Sequence, residues 1–266
     1  LGSDLRTASG DGHMDVLFSA VPIPSPTTPA VLTEEELDEL RRRAEAEHFG
    51  VPSAELLDGN IGYLEVVGFL PVEVSGEGVA AKVSSLAGAS ALIIDLRANG
   101  GGTPSAVAFL SSYLFDGEPV HLNDVHNRRE GTTVGSYTTP DVPGTRFGGT
   151  KPVFVLTSSQ TFSAGEEFAY NLQSLGRATV VGETTRGGAH RVELVEVSKH
   201  FILALPTSEP ISSVTLTNWE GVGVVPDVSV ASDEALAVAL SLAADTLLVR
   251  QESPAEPRTP LAIVRP

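Results

Sequence analysis

Two apolar runs limit the folds open to this chain more than any other feature. Residues 91–99 (ALIIDLRAN) and 152–158 (PVFVLTS) are apolar at consecutive positions, so the strands that they predict are buried on both faces. A helical pattern follows each run, at residues 103–115 and 163–175. Strands that alternate with helices in this way predict an α/β fold with a largely parallel sheet.

The rest of the chain adds elements of both kinds. Thr33 and Glu36 form the pattern of a capping box, and Gly50 follows the last turn of the helix that they begin. Proline-rich stretches at 22–30 and 251–266 predict irregular structure. The patterns predict strands at 13–21, 60–69 and 178–183, a hairpin over 190–205, and helices over 1–8, 33–50, 76–88 and about 232–250.

These elements suggest three parts. We expect an N-terminal arm and helix subdomain over residues 1–58, a core over residues 59–251 that includes a C-terminal helix, and a proline-rich tail over residues 252–266. The chain starts at Leu1 without Met and shows no signal peptide. A mature or excised fragment is therefore expected, with a secreted or cell-envelope location left open.

Composition excludes several functions. Lys and Arg number 17 against 34 Asp and Glu, and the net charge of −17 argues against binding nucleic acid or anionic membranes. There is no cysteine, which removes disulfides, cysteine nucleophiles and thiolate metal sites. No run of 18 apolar residues occurs, so no membrane-spanning helix is predicted.

Three glycines follow the first buried strand. In DLRANGGG (95–102) they let the backbone turn sharply and bring its N–H groups close to a ligand. The N-terminus of the next helix adds positive potential. The stretch fits an oxyanion hole or an anion site, and it also fits a simple strand-to-helix turn. It is not a phosphate-binding loop, because no Gly-Lys-Ser/Thr follows.

Ser163 follows the second buried strand, in TSSQTFSAGEEF (157–168), where a helix is predicted to begin. Folds of the α/β class present reactive groups at this position, and the helix dipole favours a developing negative charge. Serine is also a common helix cap. Position alone therefore leaves Ser163 open as a nucleophile or as a cap.

A nucleophilic serine needs a base. His48 ends an exposed helix, and His121 and His126 lie in a polar strand or loop, whereas His13 and His190 lie beside glycine-rich turns, where side chains can enter a cleft. Spacing does not choose between these two. No His-Glu-x-x-His or other paired-ligand spacing occurs, so neither a metal site nor a cofactor is predicted. The other candidate bases are His200 and the lysines Lys82, Lys151 and Lys199.

Four longer stretches carry a family resemblance. They are GNIGYLEVVGF (59–69), ALIIDLRANGGG (91–102), the segment 152–190 and TNWEGVGVVPDV (217–228). Together they resemble the tail-specific, or C-terminal processing, serine peptidases, and especially the branch with interphotoreceptor retinoid-binding protein modules and the tricorn protease core. The resemblance implies a crotonase-like fold of repeated ββα units.

The resemblance also implies roles for single residues. Ser163 would be the nucleophile, and the backbone N–H groups of Ala164 and Gly101 would form the oxyanion hole. The processing-peptidase branch has a lysine after its VGE strand, and Gly188 stands there in this chain, which argues against a Ser–Lys dyad.

The tricorn-like branch instead has a Ser–His–Glu arrangement. It implies His13, in DGHMDV, as the base and Glu220, in NWEGVG, as the supporting acid. Gly12 stands where that branch has a serine that links to the glutamate, which leaves open whether the relay is broken or bridged by water. His190 stays as an alternative base or a substrate contact.

We therefore expect a serine hydrolase, a peptidase that cleaves unstructured or C-terminal peptide segments through an acyl-enzyme on Ser163. The expected partner is a peptide or an unfolded protein, and a homo-oligomer is left open. The alternative is a weak or inactive module that binds a hydrophobic ligand such as a retinoid or a fatty acid. A scaffold domain without activity is a third interpretation.

Overall fold

The fold is a mixed α/β arrangement of two sheets and six helices, in a computed structural model that describes residues 1–23 and 33–252. Most of the predicted irregular segments, residues 24–30 and 253–266, lie outside the described residues. The helices are α1 (Gly2–Ser9), α2 (Glu34–Ala46), α3 (Val72–Ser85), α4 (Pro104–Ser112), α5 (Ala164–Ser174) and α6 (Ala235–Glu252). The strands are β1 (Asp15–Phe18), β2 (Ala54–Leu57), β3 (Ile61–Glu65), β4 (Ala91–Asp95), β5 (His121–Asn127), β6 (Thr132–Tyr137), β7 (Val153–Thr157), β8 (Thr179–Gly182), β9 (Arg191–Ser198), β10 (Phe201–Ser212) and β11 (Val228–Ser229).

A six-stranded sheet in the order β11-β8-β7-β4-β3-β2 forms the centre of the protein. Its neighbours pair in parallel except β2 and β3, and every residue of β4 and β7 is buried, as their apolar sequences predict. Residues of α3, α4 and α5 join one apolar cluster. Three alanines of α6 join another, with Ile93 and Leu156 of the central strands; they are Ala235, Ala239 and Ala243. The glycine-rich loop up to residue 102 follows the carboxyl end of β4, and the turn that contains Ser163 follows the carboxyl end of β7.

A second, antiparallel sheet carries the N-terminal arm. Its order is β1-β10-β5-β6, with β9 on the other edge of β10. Strand β1 pairs with β10 in the register Asp15↔Ala204, which holds the residues just before Asp15 against the core. The predicted hairpin over 190–205 extends to Ser212, because the second half of β10 pairs with β5.

The N-terminal helices follow the predicted local signals. In α2, the Thr33 side chain accepts a hydrogen bond from the backbone N–H of Glu36, and the Glu36 carboxylate accepts one from Thr33, as the capping-box pattern predicts. The predicted boundary at residue 58 falls between β2 and β3, which pair with each other. Within residues 1–23 and 33–252, no helix combines the length and the apolar character that a membrane span requires.

Candidate active site

Ser163 lies on a strained turn between β7 and α5. Its backbone dihedrals, φ 54° and ψ −118°, place a non-glycine residue in a region that costs about 1–3 kcal/mol. The turn puts the Ser163 hydroxyl at the positive end of the α5 dipole. The backbone N–H of Ser163 donates to Glu166 Oε2 at 2.8 Å, which helps to hold this conformation.

Glu166 is a fully buried carboxylate that links the serine turn to the segment after β8. Besides Ser163, it accepts hydrogen bonds from the backbone N–H groups of Gly187 (2.6 Å) and Gly188 (2.9 Å) and from Thr185 Oγ1 (2.5 Å). Burial raises the pKa of Glu166, while the hydrogen bonds from Thr185 and from the backbone oppose that shift. The Glu166 side chain therefore holds the Ser163 turn and the segment after β8 at a fixed distance from each other.

His13 reaches Ser163 from the N-terminal arm. Its Nε2 lies 2.9 Å from Ser163 Oγ, and its ring stacks on Phe162 with 4.5 Å between centroids. Asp11 Oδ1 accepts a hydrogen bond from the backbone N–H of His13 at 2.8 Å. Burial lowers the pKa of His13 below its ordinary value, and the charges of Asp11 and Glu220 oppose that shift. The lowered pKa favours the neutral form of His13, which is the form that can accept a proton.

Gly188 is packed so closely that a side chain here would force its neighbours to move. A Cβ at this position would lie 2.2 Å from Phe162 Cε2 and 2.8 Å from His13 Cε1. The stacked pair of Phe162 and His13 thus occupies the space that a lysine at position 188 would need. This packing gives a physical reason for glycine here.

The glycine loop after β4 contacts the serine turn directly. The expected oxyanion donor, the N–H of Gly101, instead donates to Asn99 Oδ1 at 2.9 Å. The N–H of Gly102 makes no hydrogen bond to the described residues, and Gly102 lines the cleft beside Ser163 and Ala164. Ala164 is the first residue of α5, so its N–H has no partner within the helix. Ala164 and Gly102 therefore each present a backbone N–H beside Ser163 that binds no described residue.

Glu220 binds the segment after β8 at the two residues that follow those bound by Glu166. Its Oε2 accepts hydrogen bonds from the backbone N–H groups of Ala189 (2.6 Å) and His190 (3.2 Å). Its other oxygen, Oε1, and the Nδ1 atom of His13 are both buried and make no hydrogen bond to the described residues. The structure thus gives Glu220 a charge effect on His13 without a direct hydrogen bond.

His190 lines the same cleft but does not contact Ser163. Its Nδ1 lies 2.5 Å from Asp11 Oδ2 and 3.7 Å from Glu220 Oε2. Ligand atoms of these three residues lie within 4.8 Å of one another, which makes them a potential metal-binding group. The distance between Asp11 Oδ2 and His190 Nδ1 is that of a hydrogen bond. Two atoms that bind the same zinc ion lie about 3 Å apart, which is farther, so we assign no metal to these three residues.

Sequence reasoning overlooked Glu166 and Asn99. The Nδ2 of Asn99 donates to Val66 O, and its backbone oxygen accepts from Phe162, so Asn99 joins the glycine loop to the serine turn. The spacing of Ser163 and Glu166 is the S-x-x-E pattern of a capping box, a local signal that marks Glu166 as a partner of the serine turn. No local signal identifies Asn99.

Comparison with known proteins identifies a family and a curated relative that this chain matches. The model described as Peptidase family S41 matches residues 60–230. A carboxy-terminal-processing protease of Bartonella bacilliformis is 28% identical over 184 residues, which are 65% of this chain and 39% of that protein. This chain thus spans about two fifths of the length of that curated relative.

Solved structures share the fold. A Parabacteroides merdae protein described as a candidate peptidase is 22% identical with a TM-score of 0.66, covering 96% of this chain and 84% of that chain. A photosystem II D1 C-terminal processing protease is 23% identical with a TM-score of 0.54, covering 69% of this chain and 46% of that chain. Since the family model covers well over half of the 266 residues, this chain belongs to peptidase family S41.

Proposed function

We propose that the protein is a serine peptidase that cleaves unstructured or C-terminal peptide segments. The observation that carries the proposal is the 2.9 Å contact between His13 Nε2 and Ser163 Oγ, made at a helix N-terminus beside two free backbone N–H groups. Membership of peptidase family S41 supports the same activity. The acidic surface favours cationic or neutral substrates.

The reaction follows from the geometry. His13 Nε2 accepts the Ser163 hydroxyl proton as Oγ attacks the scissile carbonyl, and the resulting oxyanion is stabilised by the N–H groups of Ala164 and Gly102. The C–N bond then breaks, and the protonated His13 returns its proton to the leaving amine. In the second half, His13 takes a proton from the water that attacks the acyl-enzyme carbonyl. The bond to Ser163 Oγ then breaks, His13 returns the proton to Oγ, and the carboxylic acid product is released.

Glu220 supports His13 in this proposal. Its negative charge stabilises the imidazolium that forms during the reaction, and it raises the pKa of His13 against the effect of burial. Gly12 brings no side chain to the gap between them. We propose that a water molecule joins His13 Nδ1 and Glu220 Oε1, since each is a buried polar atom without a protein partner among the described residues.

The proposal also favours one arrangement within the family. The packing of Phe162 and His13 against Gly188 argues against a Ser–Lys dyad at position 188 and supports the Ser–His–Glu arrangement. The parallel strands β3, β4, β7 and β8, separated by helices, support a crotonase-like core. The cleft contains Glu167 and Arg191, whose charges suit a peptide better than a retinoid or a fatty acid.

A peptide-cleavage assay with matched serine variants tests the proposal. Wild-type protein should cleave extended peptides, Ser163→Ala should abolish cleavage, and Ser159→Ala, at an exposed serine of the same loop, should cleave normally. Mass spectrometry should detect the acyl group on the peptide that contains Ser163. Cleavage that persists in Ser163→Ala would overturn the proposal.

A further inference from the structure

We propose that the cleft beside Ser163 is a subsite for an uncharged amide side chain, that of Gln or Asn, on the residue whose carbonyl is attacked. This inference rests on the proposed function. The cleft has a volume of about 290 Å³ and includes Ser163 and the backbone of Gly102 and Ala164. The substrate residue whose carbonyl is attacked lies nearest to Ser163, Gly102 and Ala164. We therefore expect the side chain of that residue to enter the cleft.

An ion pair sets the polarity of this cleft. Arg191 Nη2 lies 2.9 Å from Glu167 Oε1, and both residues line the cleft. Glu167 is 4% exposed, and Asn123 Nδ2 holds the same Oε1 from behind at 3.0 Å. The carboxylate is therefore fixed in place, and the charges of the two side chains cancel.

Each partner of the pair keeps polar atoms that bind no described residue, and Arg191 Nε is such an atom that is also buried. Glu167 Oε2 and Arg191 Nη1 make no hydrogen bond to a described residue, and neither is enclosed by protein. The pair thus offers an acceptor at Glu167 Oε2 and N–H donors at Arg191 Nη1 to a ligand. A primary amide has one N–H₂ donor and one C=O acceptor, so it can satisfy both atoms at once.

Other side chains fit this cleft less well. An apolar side chain would leave both open atoms without a partner and without water, which costs free energy. A Lys side chain would approach the Arg191 guanidinium, and a Glu side chain would approach the Glu167 carboxylate. The neutral pair therefore selects a neutral polar side chain.

Four matched peptides that differ only at this position, as Gln, Met, Lys or Glu, provide the test. Wild-type protein should cleave the Gln peptide with a kcat/KM at least about tenfold above that of the Met peptide, which has a similar shape. The Lys and Glu peptides should both be cleaved less well than the Gln peptide. A preference for Met, Lys or Glu would overturn the inference while leaving the proposed peptidase intact.

Two reciprocal variants sharpen the test. Arg191→Met leaves the Glu167 charge unopposed, so the preferred peptide should change to Lys, whereas Glu167→Gln should change the preference to Glu. Arg129→Met, which removes an exposed ion pair with Glu193 on the antiparallel sheet, should leave the wild-type ranking unchanged. A ranking that stays the same in Arg191→Met and Glu167→Gln would contradict the role of the pair.

Binding to Ser163→Ala separates this inference from the proposed function. Fluorescence anisotropy of the same four peptides should rank Gln first even where no cleavage occurs. If wild type neither cleaves a peptide nor reacts with a fluorophosphonate, the proposed function fails. Equal binding of the Gln and Met peptides to Ser163→Ala would overturn the subsite in either case.

Discussion

Gly188→Ala should disable the protein by moving His13. The new Cβ would lie 2.2 Å from Phe162 Cε2 and 2.8 Å from His13 Cε1. To reach a normal carbon–carbon distance of about 3.5 Å, these atoms must retreat by roughly 1.3 Å and 0.7 Å. Because the two rings stack on each other, His13 has to move with Phe162, and its 2.9 Å contact with Ser163 is lost.

The expected loss is large because general-base catalysis and positioning are both affected. Removing a general base costs about 10²–10⁴-fold, and a misplacement of 1 Å costs about 10²-fold. We expect kcat for peptide cleavage to fall by about 10²-fold or more in Gly188→Ala. Gly88→Ala, at an exposed glycine with no atom near its Cβ position, should keep wild-type activity and stability. Full activity in Gly188→Ala would refute the claim that this packing positions His13.

Three further variants probe the carboxylates and the arm. Because the Glu220 charge raises the pKa of His13, Glu220→Gln should shift the acid limb of the kcat/KM profile to lower pH, and an unchanged limb would contradict that role. Glu166→Gln places an N–H₂ group against the backbone donors of the Ser163 turn, so urea denaturation should show a loss of about 1–3 kcal/mol in unfolding free energy. The Cβ of Gly12→Ser would have only ordinary contacts of 3.6 Å and 3.7 Å, with the Phe162 ring, so this variant should fold normally. Its hydroxyl restores the serine that the tricorn-like branch has at this position, so kcat should rise a few-fold. Gly12→Ala adds no hydroxyl and should not raise kcat.

Local signals in the sequence predicted the six helices and four of the six strands of the central sheet, β3, β4, β7 and β8, but not β2 or β11. The apolar runs at residues 91–99 and 152–158 contain β4 and β7, and the capping box at Thr33 marks the start of α2. Strand β6 was not predicted, because most of Thr132–Tyr137 is polar or exposed and the strand is held by pairing with β5. Its hydrogen bonds come from a neighbour rather than from its own pattern.

The candidate site could be predicted only in part. Spacing did not choose between His13 and His190, because 150 residues separate His13 from Ser163 and tertiary contacts such as the pairing of β1 with β10 bring them together. The proposal of Gly102 rather than Gly101 as the oxyanion donor depends on the hydrogen bond from Gly101 N–H to the Asn99 side chain. Such tertiary contacts leave no local pattern in a single sequence.

The rate at which a fluorophosphonate modifies Ser163, measured as a function of pH, shows directly whether His13 activates this serine. The rate should rise with pH through a midpoint below about 6.5, the ordinary pKa of histidine, because burial lowers the pKa of His13. His13→Gln should slow the reaction by about 10²-fold or more, and His126→Gln, at a histidine outside the cleft, should not change it. Equal rates for wild type and His13→Gln would contradict the account.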